Sequence, residues 1–376
     1  MNNRDKKWQI SHFMLMIGIL CSMVNIHVLY CKASGSSLKR PDGVMSTAVY
    51  DQIAVSWEPV AGAQGYEVYE GVWQSDRTDY SVVEDVKVTK CIRTKCDKGR
   101  TYYYYVRAYA LDQTGHRIYG ANSKTVSTTV PIQGQSTIRN FLLTALAPMG
   151  STMYVWGGGW NRADTGAGKE TRQIGTCPRW RKFAKNKKAR YNYRDYRYQI
   201  HNGLDCSGYV GWCVYNIRNV EDNRKGYVYA ASKQAEKFAD MGWGTYVERQ
   251  KVTDYRAGDV MSSTCSCCGH VYIVIGQCKD GSVVLLHSSP AGVQISGTAT
   301  PEGKVKSEAY QLAQHYMKKY YRSWYRRYPN VGRGTSYLTH YAQMRWKTVG
   351  EDIILSDPDG YQNMDASSIL KDLYKE

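Results

Sequence analysis

The chain has 376 residues, 43% of them hydrophobic, and a formal net charge of +17. At about 100 to 200 residues per domain this length points to two domains, and the apolar content is enough for real cores, so neither a single small domain nor a coreless chain fits. The excess of Lys and Arg favours a polyanionic partner: nucleic acid, anionic lipid or an anionic wall polymer.

Arg4, Lys6 and Lys7 precede an apolar run from Phe13 to about Tyr30, which is the outline of a signal peptide over residues 1–34. Ser22, Asn25 and His27 interrupt the run and make a permanent membrane span less comfortable. Cleavage after Ala33, with Cys31 and Ala33 at the recognition positions, is the preferred reading, and an uncleaved anchor is the alternative. Export argues against nucleic acid as partner and lets thiols pair. Without Cys21 and Cys31, an odd set remains: Cys91, Cys96, Cys177, Cys206, Cys213, Cys265, Cys267, Cys268 and Cys278. One free reactive thiol with the rest paired would satisfy that parity, although connectivity cannot be read from sequence.

Residues 38–130 read as short alternating segments separated by turns, the pattern of an all-β sandwich. Ile53, Val55 and Trp57 alternate inward, as do Tyr66 and Val68, and then Tyr102, Tyr104, Val106 and Ala108. The segments VSWEPVAGAQGYEVYE, GRTYYYYVRAYA and YGANSKTVSTT resemble a fibronectin type III domain, an immunoglobulin-like sandwich. The resemblance implies that Tyr102 is a corner tyrosine whose hydroxyl ties a connection to its strand. Cys91 and Cys96 fit a local disulfide or a free pair, and a spacer or wall-binding role is expected for the module. Residues 131–135, with Pro131 and Gly134, read as a linker. A helix opening at Ser136 follows, with Ile138, Phe141, Leu142, Ala145 and Leu146 on one stripe and Pro148 and Gly150 beyond its end.

Three segments of the second domain carry chemistry. In LDCSGYVGWCVYN, Asp205 suits a helix N-cap and places Cys206 in the first turn, where unpaired N–H groups and the macrodipole favour thiolate. Cys213 lies two turns deeper and should be inert. In GHVYIVIG, His270, Tyr272 and Val274 share one face of a strand, and SVVLLHSSP ends on His287. A hairpin loop through Gln277, Cys278, Lys279 and Asp280 pairs Gly276 with Gly281 and sets His270 opposite His287. A tight turn centred on Asp280-Gly281 would instead separate the imidazoles. Cys206, His270 and His287 then fill the roles of nucleophile, base and orienting group.

The order of MYVWGGGW, LDCSGYV, AGDVM, GHVYIVIG and LLHSSPAGVQIS resembles the NlpC family of cell-wall cysteine peptidases from Ser136 to about Ser296. The resemblance implies an α+β papain-like fold and cleavage of peptidoglycan stem peptides between D-γ-glutamate and a diamino acid. It also implies that Tyr154, Asp205 and Ser207 help bind the stem.

The chain departs from the family's pattern in a long insertion between Gly158 and Cys206, rich in Arg and Lys and interleaved with Tyr191, Tyr193, Tyr196 and Tyr198. It fits either a groove wall holding anionic glycan, teichoic acid or stem carboxylates, or a solvated surface loop. Cys265, Cys267, Cys268 and His270 crowd four soft ligands into a short span, yet zinc there would consume the base, so disulfides or redox control are preferred and neither metal nor cofactor is expected. From about Ser307 to Tyr328 a basic, tyrosine-rich helical segment is expected, and the last residues end in a short amphipathic helix.

The expected organisation is multidomain: a signal or anchor at 1–34, a fibronectin type III-like sandwich at 38–130, a linker at 131–135, an α+β papain-like peptidase at 136–350 with a basic insertion at about 160–200, and a tail at 351–376. The expected function is an exported hydrolase acting on peptidoglycan and on walls bearing anionic polymers, with membrane contact only if the N-terminus is uncleaved. A non-catalytic wall-binding or adhesion protein and a thiol acyltransferase or amidase are the alternatives.

Overall fold

Period-two alternation of large apolar residues builds the first module, because every second side chain of a strand lands on the same face. The structure, a computed structural model, describes residues 38–49, 52–74, 77–97, 100–130, 136–162, 165–219, 222–264, 269–374 and 376; the expected signal peptide and the 131–135 linker lie outside the described residues. Strands β1 (Met45–Val49), β2 (Gln52–Ser56) and β5 (Lys90–Arg93) form one antiparallel sheet in the order β1-β2-β5. The facing sheet runs β4 (Arg77–Val86), β3 (Gly65–Gln74), β6 (Thr101–Leu111), β7 (Arg117–Tyr119), with β8 (Val126–Thr129) also pairing β6. Ile53, Val55, Trp57, Tyr66, Val68, Tyr102, Tyr104, Val106 and Ala108 all lie in the core between them. Cys91 and Cys96 are both buried in that core.

Asp97 N–H donates to the Tyr102 hydroxyl at 2.8 Å, so Tyr102 does tie the preceding connection to its own strand.

The second module is a mixed sheet flanked by helices. Helix α1 (Ile138–Leu146) is capped by Thr137, one residue later than expected, whose hydroxyl accepts from Asn140 N. Helices α2 (Pro178–Lys185), α3 (Cys206–Arg218) and α4 (Gln234–Asp240) come next. Then follow β9 (Gly244–Val247), β10 (Val260–Ser263), β11 (Val271–Gln277), β12 (Val283–Ser289) and β13 (Gly292–Thr298). Helices α5 (Glu308–Tyr320) and α6 (Arg322–Arg327) lead to β14 (Gly332–Arg333), α7 (Ser336–Thr339), β15 (Tyr341–Trp346) and α8 (Ala366–Tyr374). The sheet order is β14-β13-β12-β11-β10-β15-β9, parallel between β13 and β14 and antiparallel elsewhere.

On one face of the sheet, Val271, Ile273, Ile275, Val284 and Leu286 pack against α3 and α8. On the other, Tyr272, Val274, Val283 and Leu285 join Met261, Leu338 and Tyr341. Asp259, fully buried at the start of β10, is held by Arg345 at 2.8 Å and by Gln343 Nε2 at 2.9 Å, which pins β10 to β15. The C-terminal residues belong to the same core: Leu355, Tyr361, Ala366, Ile369, Leu370 and Leu373 are buried in it, and a side chain at Gly276 would meet Ala366 Cα at 2.9 Å.

The basic insertion is not a solvated loop throughout. Trp180 of α2 is buried edge-on against Trp212 of α3, their centroids 5.9 Å apart, and Ala184 is buried beside it. The insertion shares the contact between modules with α3 and the loop after it. Ala54 of the sandwich packs with Ile174 and Tyr215, Lys90 Nζ lies 2.9 Å from Asp222, and Ser56 Oγ donates to Thr176 O at 3.3 Å. At Gly175, in the left-handed region with φ +77°, any side chain would meet Ala54 Cβ at 2.7 Å.

Replacing Tyr102 with Phe leaves a buried acceptor missing and the Asp97 N–H without its partner. The expected cost is about 1 to 2 kcal/mol of sandwich stability, read as a lower urea midpoint with unchanged slope.

Candidate active site

Glycines bring the MYVWGGGW segment against the start of α3. Asp205 N donates to Gly158 O at 2.9 Å and Leu204 N to Met153 O at 3.2 Å, so residues 153–158 run beside residues 203–205. A Cβ at Gly208 would meet Gly158 O at 2.2 Å, and one at Gly158 would meet Gly203 O at 2.5 Å. Backbone therefore touches backbone here, and only glycine permits it.

Asp205 is the N-cap of α3, its carboxylate accepting from Gly208 N at 2.7 Å, and Cys206 is the first helical residue. Cys206 is 5% exposed, and the N–H groups of Val271, Ser207 and Cys206 itself are directed at its sulfur. Val271 follows His270 directly, so the thiol lies against the chain segment that carries the histidine.

His270 Nε2 is 2.9 Å from His287 Nδ1, the rings meeting at 75°. His287 Nε2 in turn is 3.0 Å from Ser296 Oγ and 3.2 Å from Arg333 Nη2. The pair forms through a register that differs from both expected ones. Gly276 pairs with Val284, not Gly281, and the loop is the three residues Lys279-Asp280-Gly281, with Gly281 at φ +78°. The pairing shifts by one residue between Val274 and Gly276, after which Val274 faces Leu285 and Ile273 faces Leu286. Continued, this places His287 opposite Tyr272, with His270 as its diagonal neighbour on the same face. Without the bulge the two imidazoles would point to opposite faces, since one residue of slip inverts a strand.

Helix geometry alone led to an expected lowered thiol pKa, and burial reverses it. Desolvation, aided by the Asp205 carboxylate, pushes the Cys206 thiol up to about 12 against the opposing backbone N–H groups. Desolvation and the Arg333 charge push His270 down to about 3, and the same causes with His270 lower His287 well below its ordinary value. Asp205, fully enclosed, is raised to about 7 by desolvation despite its hydrogen bonds. The resting pair is thus a neutral thiol and a neutral imidazole. Cys213 is buried, and desolvation raises its thiol well above the ordinary value.

The three residues implied as stem binders, Tyr154, Asp205 and Ser207, sit around Cys206 and are all buried. Ser207 Oγ donates to Asp205 Oδ1 at 2.9 Å and accepts from Trp160 Nε1 at 3.2 Å, so both side chains are engaged internally. Tyr154 is held by a bridge to Leu204, and its carbonyl accepts from Tyr191 of the insertion at 2.5 Å. Tyr193 meets the Tyr154 ring edge-on at 5.4 Å and stacks on Trp156, which is 42% exposed with the Arg197 guanidinium over it.

Sequence reasoning missed Ser296, Arg333 and Tyr337. Tyr337 packs its ring on both His270 and His287, with centroids 5.7 and 6.0 Å away. Arg333 and Tyr337 follow two helices after the last recognised motif, and only the sheet order β14-β13-β12 carries them back to the pair. Cys265, Cys267 and Cys268 lie outside the described residues. Among the described residues, Cys278, Asp280 and Glu308 bring a sulfur and two carboxylates within 4.8 Å of one another. Both carboxylates already cap backbone: Asp280 accepts from Glu308 N at 2.7 Å and Glu308 from Lys279 N at 3.1 Å. Among the described residues no helix is long and apolar enough to cross a membrane.

No family model matches the chain, and no curated protein matches it in sequence. Similar solved structures share a fibronectin type III-like fold over about a quarter of the chain. A Fn3-like protein from Clostridium thermocellum is 21% identical, covering 26% of this chain and 96% of its own, with a TM-score of 0.22. The fn3 domain of human collagen alpha-1(XX) is 21% identical over 28% of this chain and 98% of its own, with a TM-score of 0.21. A twitchin kinase region from C. elegans is 13% identical over 27% of this chain, at a TM-score of 0.23, and the match spans only 18% of that structure.

His270 is expected to stay neutral at about pH 5, where free imidazole is protonated, and nitrogen NMR of the ring reads this directly. Between its ordinary 6.5 and about 3, the unfolded chain binds a proton at this position that the native state refuses, so stability falls as pH drops through that window. Wild type is therefore expected to lose stability relative to a His270→Gln variant as pH falls below about 6.5, and parallel profiles would refute the shift.

Proposed function

We propose that this chain is an exported thiol hydrolase of peptidoglycan, cutting stem peptides at the bond between D-γ-glutamate and a diamino acid on an α+β papain-like module of the NlpC type. The observation that carries the reading is the meeting of Cys206, first residue of a buried helix, with the segment bearing His270, itself 2.9 Å from His287. A nucleophile, a base and a group that orients the base are the parts needed for acyl transfer.

In this reading Cys206 attacks the amide carbonyl while its proton passes to His270. Because the resting pair is neutral, transfer accompanies attack and is not completed beforehand. The developing oxyanion accepts from backbone N–H groups at the start of α3. His270 returns the proton to the leaving amine, and water then cleaves the thioester. His287 holds the base through its Nδ1, and Ser296 holds His287.

The glycan strand and anionic wall polymers are the partners this reading assigns to the insertion. Trp156, Tyr193 and Arg197 form an exposed stacked surface beside Tyr154, suited to the apolar face of a sugar next to an anionic group. The sandwich, joined to the insertion through Ser56 and Thr176 and to the loop after α3 through Lys90 and Asp222, fixes how that surface is presented.

Purified protein incubated with muropeptides is expected to yield stem fragments by mass spectrometry, with Cys206→Ser slower by roughly 10³-fold or more. Products carrying an added amine would identify an acyltransferase, and unchanged muropeptides with wild type would leave a wall-binding protein. Trp156→Ala is expected to raise KM for glycan-linked substrate roughly two- to tenfold while leaving free stem peptide unaffected. An equal effect on both substrates would remove the glycan surface.

A further inference from the structure

Arg333 brings a positive charge to the histidine pair without a carboxylate to match it. Its backbone is fixed as the last strand of the sheet, pairing with Thr298 and accepting from Ala299 N at 2.7 Å. The half-buried guanidinium donates to Gly332 O at 2.6 Å, while Nη2 lies 3.2 Å from His287 Nε2, 3.4 Å from Ser289 Oγ and 3.4 Å from Asn330 O. The guanidinium also hydrogen-bonds the Tyr337 hydroxyl and lies near that of Tyr341, both uncharged at neutral pH, and burial works against its charge. Among the described residues, Arg93, Arg107, Arg139 and Arg345 each meet a carboxylate at 3.1 Å or less, and Arg333 meets none. A guanidinium withdrawn from water without a counter-ion is costly unless something anionic arrives.

The hydrogen-bond inventory adds a second constraint. A guanidinium only donates. While Nη2 donates to His287 Nε2, the proton of neutral His287 resides on Nδ1 and is given to His270 Nε2. His270 then carries its own proton on Nδ1, the ring nitrogen left for the thiol, and has no lone pair to accept with. If Arg333 turns away, His287 Nε2–H can donate to Ser296 Oγ, His287 Nδ1 accepts from His270 Nε2–H, and His270 Nδ1 becomes the acceptor. Each ring keeps one proton throughout, and exchange with solvent moves it between nitrogens.

We infer that Arg333 is the receptor for a free carboxylate on the substrate beside the scissile amide, and that its capture by that carboxylate sets the histidine pair in the proton-accepting tautomer. The inference rests on Cys206 being the nucleophile, but not on the identity of the polymer cut. Arg333 is a positioning residue with respect to His287 and a binding residue for the substrate anion. A substrate lacking the carboxylate finds the base in the wrong tautomer, so specificity and activation come from one contact.

Alkylation of Cys206 tests this without any peptidase assay. Iodoacetate carries a carboxylate next to its reactive carbon, and iodoacetamide is its neutral counterpart. With Cys206 modification quantified by peptide mass spectrometry, wild type is expected to react about tenfold faster with iodoacetate, relative to a free-thiol standard. Arg333→Gln is expected to lose that preference and Arg333→Lys to keep part of it. The second readout uses wild type alone: on adding succinate, nitrogen NMR is expected to show the His287 proton moving from Nδ1 to Nε2. An iodoacetate preference that is absent, or the same in Arg333→Gln, overturns the inference, as does a His287 tautomer indifferent to succinate. Failure to cut muropeptides would count against the polymer assigned above and would leave both readouts valid.

Discussion

Burial of the helix Cys206–Arg218 on every side is the constraint from which the rest follows. Every residue from Cys206 to Ile217 is buried, including Ser207 and Asn216. A helix enclosed in this way needs polar partners for its few polar groups, and each has one: Asp205 caps Gly208, and Asn216 accepts from Gly175 N and donates to Gln173 O and Trp212 O. The same enclosure removes water from the Cys206 sulfur. Desolvation then outweighs the helix terminus, and the thiol rests neutral.

The partners of that helix come from parts of the chain that look peripheral in sequence. The basic insertion supplies Trp180 and the loop that receives Asn216, and it also shares in the contact with the sandwich. The last helix, Ala366–Tyr374, packs under Gly276. That close approach sits beside the bulge in β11, and the bulge is what turns His270 and His287 to the same face. Thus a C-terminal segment with no chemistry of its own packs on the strand whose irregularity assembles the histidine pair.

Charge is distributed with a comparable logic. Where guanidinium groups serve the fold they close on carboxylates, as Arg345 does on Asp259 and Asp254. At the histidine pair the guanidinium of Arg333 meets no carboxylate among the described residues, and the tyrosine hydroxyls beside it bring no negative charge. Beside the site, the Arg197 guanidinium lies over the exposed ring of Trp156.

Local patterns were legible in the sequence because they depend on nearest neighbours. Alternation marked the sandwich core down to Trp57 and Tyr104, the resemblance to fibronectin type III domains implied the Tyr102 corner hydrogen bond, and Asp205 before Cys206 marked a helix start. Features set by three-dimensional pairing were not legible. The register of β11 on β12 depends on a one-residue bulge, and a hairpin read from loop residues alone misses it. The thiol pKa depends on how much water the assembled core excludes. Arg333 reaches His287 only because a parallel strand joins β13 from beyond two helices. The sequence by itself determined which residues can take part and on which local element each sits, since helix caps and strand faces follow from a few adjacent side chains. Tertiary structure alone decided which of them meet and in what protonation state, because contact across the sheet and loss of solvent are properties of the whole packed module.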